Sequence, residues 1–137
     1  MTSISEDFTA EHRFCDDAFI RIEQLTHQGD WDAARSAAGA FIGVTEAHLR
    51  REEERLFPAL EAAAPMANGP TGVMRAEHAQ MRELFAAIDA SLTAQDAESL
   101  GDALDTLLLL MQQHNAKEES VLYPLADRVI VDTHVVD

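Results

Sequence analysis

Cys15 is the chain's only cysteine, which excludes an intrachain disulfide and any metal cluster held by several thiolates. Long apolar stretches are missing too. The longest, Leu107 to Met111, is five residues, against the roughly 20 needed to span a bilayer. Met1 to Asp7 lack the basic start and apolar centre of a signal peptide, so the expected setting is the cytoplasm, away from any membrane. Basic residues are scarce: 10 lysines and arginines face 25 acids, for a formal charge of -15. A phosphate backbone would be repelled by that balance, and nucleic acid is excluded as a partner. Most of the carboxylates read as a solvated surface. Six glycines and four prolines are too few for a disordered or fibrous chain, and 47% hydrophobic residues suit a packed one. At 137 residues there is room for a single domain over 1–137, with a bundle over about 6–126 and a tail over 127–137.

Helix formers fill the remainder. Leu, Ala, Glu, Gln, Met and Arg predominate, and β-branched runs occur only near the end. The first predicted helix spans about Glu6 to His27, with Ser3 or Ser5 as its N-cap and a stop at Gln28 and Gly29. The second starts after Asp30, a further N-cap, and runs past Arg55 to a kink or end near Pro58. Two prolines, two glycines and an asparagine between Pro65 and Gly72 predict a loop. The third helix follows from about Val73 to Leu92, and the fourth from Ala94 to about Tyr123, capped by Thr93 with Asp96 in its first turn. Apolar residues recur at helical spacing, as Phe8, Cys15, Phe19 and Ile22 on the first helix. On the fourth they are Leu104, Leu107 or Leu108, Met111, and Val121 or Leu122. Gly39 and Gly43 read as points of close packing on the second. Short links between four long helices predict an all-α fold, an up-down-up-down antiparallel four-helix bundle built from two similar helical hairpins. The tail, with Val129, Ile130, Val131, Val135 and Val136, is expected to pack across a bundle end or to mediate oligomerisation.

The strongest signal is an internal repeat at an offset of 66 residues, which carries His12 to His78, His48 to His114, Glu52 to Glu118, Glu53 to Glu119 and Pro58 to Pro124. Glu11 and Glu77 correspond as well, as do Phe57 and Tyr123. In each half a histidine is followed 36 residues later by His-x-x-x-Glu. Four residues along a helix is about 40° around it, so the His and Glu of a pair reach the same spot. His48 and Glu52 share their face with Phe41 and Leu56, and His114 and Glu118 share theirs with Leu107, Met111 and Leu122. Both pairs therefore point into the core. Four imidazoles and two carboxylates buried without partners would be severely destabilising. A Glu-His hydrogen-bond network could satisfy them, and metal is the sharper explanation for six such groups arranged in an internal repeat.

The ligand count suits two ions. Each would take two histidine nitrogens and one oxygen from each of two bridging carboxylates. A bridging oxo or hydroxo group would then leave one open position per metal. Mixed imidazole and carboxylate donors suit iron, with manganese or zinc as substitutes. Open positions suggest a small ligand such as dioxygen. Ferritin-like oxidases instead use Glu-x-x-His, and here Thr45 and Met111 stand where that glutamate would be.

The order His, His-x-x-x-Glu, His, His-x-x-x-Glu resembles the hemerythrin family, also called the HHE cation-binding domain family, over about Phe8 to Pro124. The resemblance implies that His12 and His48 end-cap one iron, that His78 and His114 end-cap the other, and that Glu52 and Glu118 bridge them. Its oxygen carriers have a further histidine where this chain has Met74. Met74 is read as core packing; the missing ligand could be supplied by Glu11, Glu77 or water. Without it both irons become accessible. The implied function is binding or sensing of dioxygen, or of a related ligand such as nitric oxide. The alternatives are a redox enzyme acting on peroxide or oxygen, with a redox partner, and an iron-responsive regulator. Oligomeric state is expected to be a monomer or a weak homo-oligomer.

Five further residues carry structural or functional readings. Cys15 is a small core residue or a redox group, and Asp16 is a solvated acid or the partner of a ligand histidine. Trp31 anchors a bundle end. Phe57 and Tyr123 close one end of the site, or Tyr123 serves as a phenol beside the metals.

Overall fold

The computed structural model describes residues 2–137. Helix α1 (Ile4–His27) begins where the Ser3 hydroxyl accepts the Glu6 N–H, and α2 (Trp31–Arg51) where Asp30 accepts the Ala33 N–H. These contacts satisfy first-turn amides that have no intrahelical partner. Gly29 makes the turn between them at φ 73°. The second rod continues through a π-helical turn, Glu52–Leu56, into α3 (Phe57–Ala63). A short 3-10 turn, Pro65–Ala67, leads to α4 (Asn68–Ala94). The last rod is α5 (Ala97–Lys117), a second π-helical turn at Glu118–Leu122, and α6 (Tyr123–Val129), followed by a 3-10 turn at Thr133–Val136. Helix α1 packs mainly on α2 and α4 mainly on α5, with α2 against α4 joining the hairpins. The result is the expected all-α antiparallel four-helix bundle, with no strand among the described residues.

Three expectations about boundaries are corrected. Pro58 and Pro124 neither end nor sharply break their helices. Proline removes an N–H and crowds the carbonyl four residues back, and the chain accommodates this by widening one turn, so that Phe57 N–H reaches Glu52 O and Tyr123 N–H reaches Glu118 O. The Pro65 to Gly72 loop is mostly helix. Pro70 lies in the first turn of α4, where its missing N–H would have had no partner. Thr93 does not cap the fourth helix; it lies in the last turn of α4. Gln95 takes a left-handed conformation at φ 53°, Asp96 N–H returns to Ser91 O, and Asp96 caps α5 through the Ser99 N–H.

The core divides into two apolar clusters with the polar centre between them. One gathers Phe19, Ile22, Phe41, Met81, Phe85, Leu104 and Met111; the other gathers Phe8, Leu56, Phe57, Met74, Leu122 and Tyr123. Met74 is buried packing in the second. Leu107 and Leu122 face inward, whereas Val121 is exposed. Trp31, at the start of α2, packs against the first cluster. In the tail Ile130 and Val136 are buried with Ile4 and Phe8, and Arg51 Nε donates to Val136 O at 2.9 Å, so the tail folds back on its own bundle. Among the described residues no helix is long and apolar enough to cross a membrane.

Gly39 and Gly43 do not mark close packing, because a Cβ added at either meets nothing within 4 Å. Glycine in an exposed helix interior costs about 1 kcal/mol relative to alanine. Gly39→Ala with Gly43→Ala is therefore expected to stabilise the protein by about 1–2 kcal/mol in urea unfolding, and a loss of stability would show that the glycines serve a contact.

Candidate metal centre

The two π-helical turns begin at Glu52 and Glu118, one helical turn after His48 and His114. Both carboxylates are completely buried, and His12, His48, His78 and His114 are nearly so. All six project into the layer between the apolar clusters and form two tetrads, His12, His48, Glu52, Glu118 and Glu52, His78, His114, Glu118. Within each, one ligating atom per residue lies within 4.8 Å of the others. The tetrads share both glutamates.

His12 Nε2 is 3.0 Å and His114 Nε2 3.2 Å from Glu118 Oε1; His48 Nε2 is 3.5 Å and His78 Nε2 3.2 Å from Glu52 Oε1. Donors at right angles about a metal with bonds of roughly 2.1 Å lie about 3 Å apart, so the spacing fits one ion per tetrad. Glu52 Oε1, Glu118 Oε2, His78 Nε2 and His114 Nε2 are buried with no hydrogen-bond partner among the described residues. Orphaned atoms at such depth are rare, and here they converge on the places that two cations would fill.

The outer nitrogens are all partnered. His12 Nδ1 pairs with Glu119 at 2.7 Å, His48 Nδ1 with Glu11 at 2.9 Å, His78 Nδ1 with Glu53 at 2.7 Å and His114 Nδ1 with Glu77 at 2.9 Å. An Nδ1–H donated to a carboxylate leaves the Nε2 lone pair facing inward, the tautomer a metal requires. Glu11 and Glu77 receive histidines of their own hairpin, while Glu53 and Glu119 reach across to the other. Burial opposes ionisation of Glu11, Glu53 and Glu77, yet their histidines and basic partners hold all three carboxyls below the usual range. Those partners are Arg51 on Glu11, Arg82 on Glu53 and Lys117 on Glu77. Asp16, at the repeat position of Arg82, accepts no histidine; burial and the neighbouring charge of Glu119 push its carboxyl up. The carboxylate on His12 is Glu119 instead.

Tyr123 lies closer than anticipated. Its hydroxyl donates to Glu52 Oε2 at 2.6 Å and stands 3.0 Å from Glu118 Oε1, 3.0 Å from His12 Nε2 and 3.3 Å from His48 Nε2. Burial, together with the two carboxylates, pushes this phenol well above its ordinary range in the absence of cations. Phe57, its repeat equivalent, stacks on His78 at 5.7 Å and offers no donor. Cys15 is buried beside Thr45; burial pushes its thiol up.

The family model for the hemerythrin HHE cation binding domain matches residues 3–126. The chain belongs to that family. No match was found among curated proteins or solved structures. A hemerythrin-family bundle with two His/Glu tetrads is consistent with a di-iron, dioxygen-binding site. The paired Nδ1 carboxylates were visible in the sequence only as acids recurring at the 66-residue offset; their partners lie on other helices, out of reach of a one-dimensional reading.

Without metal the centre should respond to pH. Burial alone would lower the His48 pKa, but the Glu52 charge and the hydrogen bond to Glu11 outweigh it and push the pKa from 6.5 up to about 10. A raised histidine contributes stability that is complete below pH 6.5 and is lost as pH climbs through 10. Burial would likewise raise Glu52, yet the His48 charge and its hydrogen bonds hold it well below 4.5, and that contribution is lost in acid. The melting temperature of metal-free protein is therefore expected to peak between about pH 5 and 6.5 and to fall on either side. A flat profile from pH 6.5 to 10 would contradict the assigned His48 environment.

Proposed function

We propose that His12 and His48 hold one iron, that His78 and His114 hold a second, and that Glu52 and Glu118 bridge them with an oxo or hydroxo group, for binding or sensing dioxygen or a related ligand such as nitric oxide. Manganese or zinc would be accepted by the same donors. When bound, the iron pair supplies a reversible two-electron couple to the ligand. The supporting observation is the sharing of both buried carboxylates between two tetrads. The family match and the inward-facing Nε2 lone pairs agree with it.

Tyr123 decides how equal the two positions are. Its hydroxyl is at cis-ligand distance from His12 Nε2, Glu52 Oε2 and Glu118 Oε1, and a cation there would lower the phenol's pKa rather than raise it. A cation beside His12 would therefore have the Tyr123 oxygen within reach as a fifth donor, whereas Phe57, in the corresponding place beside His78, would offer none. Tyr123 thus leaves the pair less symmetric than the loss of a histidine at Met74 suggests. One crowded and one open metal is the arrangement that the family resemblance links to end-on ligand binding, and it favours binding or sensing over turnover. A redox enzyme acting on peroxide or oxygen, with a redox partner, is the second reading; the phenol beside the pair favours it. An iron-responsive regulator is the third. We assign the protein to the cytoplasm, as a monomer or weak homo-oligomer, on its single buried cysteine and on a tail whose Ile130 and Val136 are used within the chain.

Anaerobic ferrous protein titrated with dioxygen is expected to develop a charge-transfer band complete at about one dioxygen per two irons and lost on deoxygenation. Irreversible decay to the diferric form would favour the enzyme reading, and no iron-dependent band would overturn both. In the diferric protein, Tyr123→Phe is expected to abolish a visible phenolate-to-iron band while iron content stays unchanged; an identical spectrum would show that Tyr123 only donates to Glu52.

A further inference from the structure

The 66-residue repeat breaks on the side of the centre away from Tyr123. A cavity of about 10 Å³ lies there, walled by His12, His48 and His114 and by three repeat-related pairs, Cys15 with Met81, Thr45 with Met111 and Leu49 with Asn115. Its volume is at the threshold for one water molecule. Two long thioethers fill one half of the wall; a thiol and a hydroxyl, both shorter, leave the space in the other.

Thr45 is 4% exposed and its hydroxyl has no hydrogen-bond partner among the described residues. The Cys15 thiol is near enough to sense it, but no bond of acceptable geometry forms. A helical threonine ordinarily avoids this by bonding to the carbonyl four residues back. Thr26 does so to Ile22 O at 2.8 Å, and Thr106 to Asp102 O at 2.9 Å. Thr45 has the same recourse at Phe41 and does not take it. A buried donor left unpaired is costly, and this one lines a cavity bounded by three of the four histidines.

We propose that Thr45 is the hydrogen-bond donor to a small anionic or diatomic ligand held in this cavity and reaching the open metal position on its His114 side, an inference that rests on the di-iron reading. Met111, in the equivalent place, has no donor, and the half-buried Asn115 is the other amide or hydroxyl side chain on the wall. Thr45 orients the ligand and takes no part in holding metal. Cys15 also lines a surface groove with Phe14 and Val44, which places its side chain between the cavity and solvent.

The test is optical titration of iron-loaded diferric protein with azide, in the wild type, Thr45→Val and Thr45→Ser, with melting of each metal-free protein alongside. Valine keeps the shape and removes the donor; azide affinity is expected to fall about tenfold, while serine stays within about twofold of wild type. Metal-free Thr45→Val is expected to melt no lower than wild type, because the lost hydroxyl had no partner. Unchanged azide affinity in Thr45→Val would overturn the proposal, and so would a lower metal-free melting temperature, which would mark Thr45 as a packing residue. Wild type that holds two irons but binds no azide would sink the Thr45 role and leave the metal assignment standing. Wild type that takes up no iron would remove both.

Discussion

Glu118→Ala is expected to lower bound iron from about two ions per chain to one or fewer, and Glu52→Ala to do the same. Each carboxylate is fully buried and belongs to both tetrads, so either change strips a donor from both ions at once. A histidine belongs to only one. His78→Ala, which leaves His12, His48, Glu52 and Glu118 in place, is expected to spare one position and to bind about one ion. Metal analysis of gel-filtered protein reads the difference directly. If Glu118→Ala retained both irons, its carboxylate would not be a bridge, and the shared-ligand account would have to be abandoned.

Glu53→Gln is expected to weaken iron binding by about 10- to 100-fold without touching a metal-facing atom. Glu53 holds His78 Nδ1 at 2.7 Å and is itself gripped by Arg82 at 2.9 Å through both oxygens. An amide is uncharged and can turn either face to the imidazole, so both the fixed tautomer and the added basicity of Nε2 are lost. Competition with a chelator measures the effect, with Glu54→Gln as the control because Glu54 is exposed and makes none of these contacts. Equal affinity in the two variants would reduce the Nδ1 carboxylates to surface charge.

The bundle and the six inward-facing residues were legible because both depend on periodicity. An apolar stripe such as Phe8, Cys15, Phe19 and Ile22 reports its own face, and His-x-x-x-Glu repeated at 66 residues reports two faces meeting. Features that depend on contacts between helices were not legible. Asp16 read as a possible partner of a ligand histidine, and only the packing of the last rod against α1 brings Glu119 to His12 instead. Tyr123 and Phe57 read as equivalent closures of the site; one hydroxyl separates them, and its meaning depends on the donors it reaches. The π-helical turns were hidden for a related reason. Proline announces a disturbance, but whether the helix ends, bends or widens depends on what the following turn can bury, and here Phe57, Leu60, Tyr123 and Ala126 are all buried. Gly39 and Gly43 misled for want of a neighbour, which no sequence displays.

The central claim is a pair of ions bridged by two glutamates, and anomalous diffraction at the iron absorption edge from iron-loaded crystals tests it most directly. The account predicts two peaks about 3.5 Å apart, one beside His12 and His48 and one beside His78 and His114, with Glu52 and Glu118 between them. A single peak, or iron bound only at the acidic surface, would contradict it.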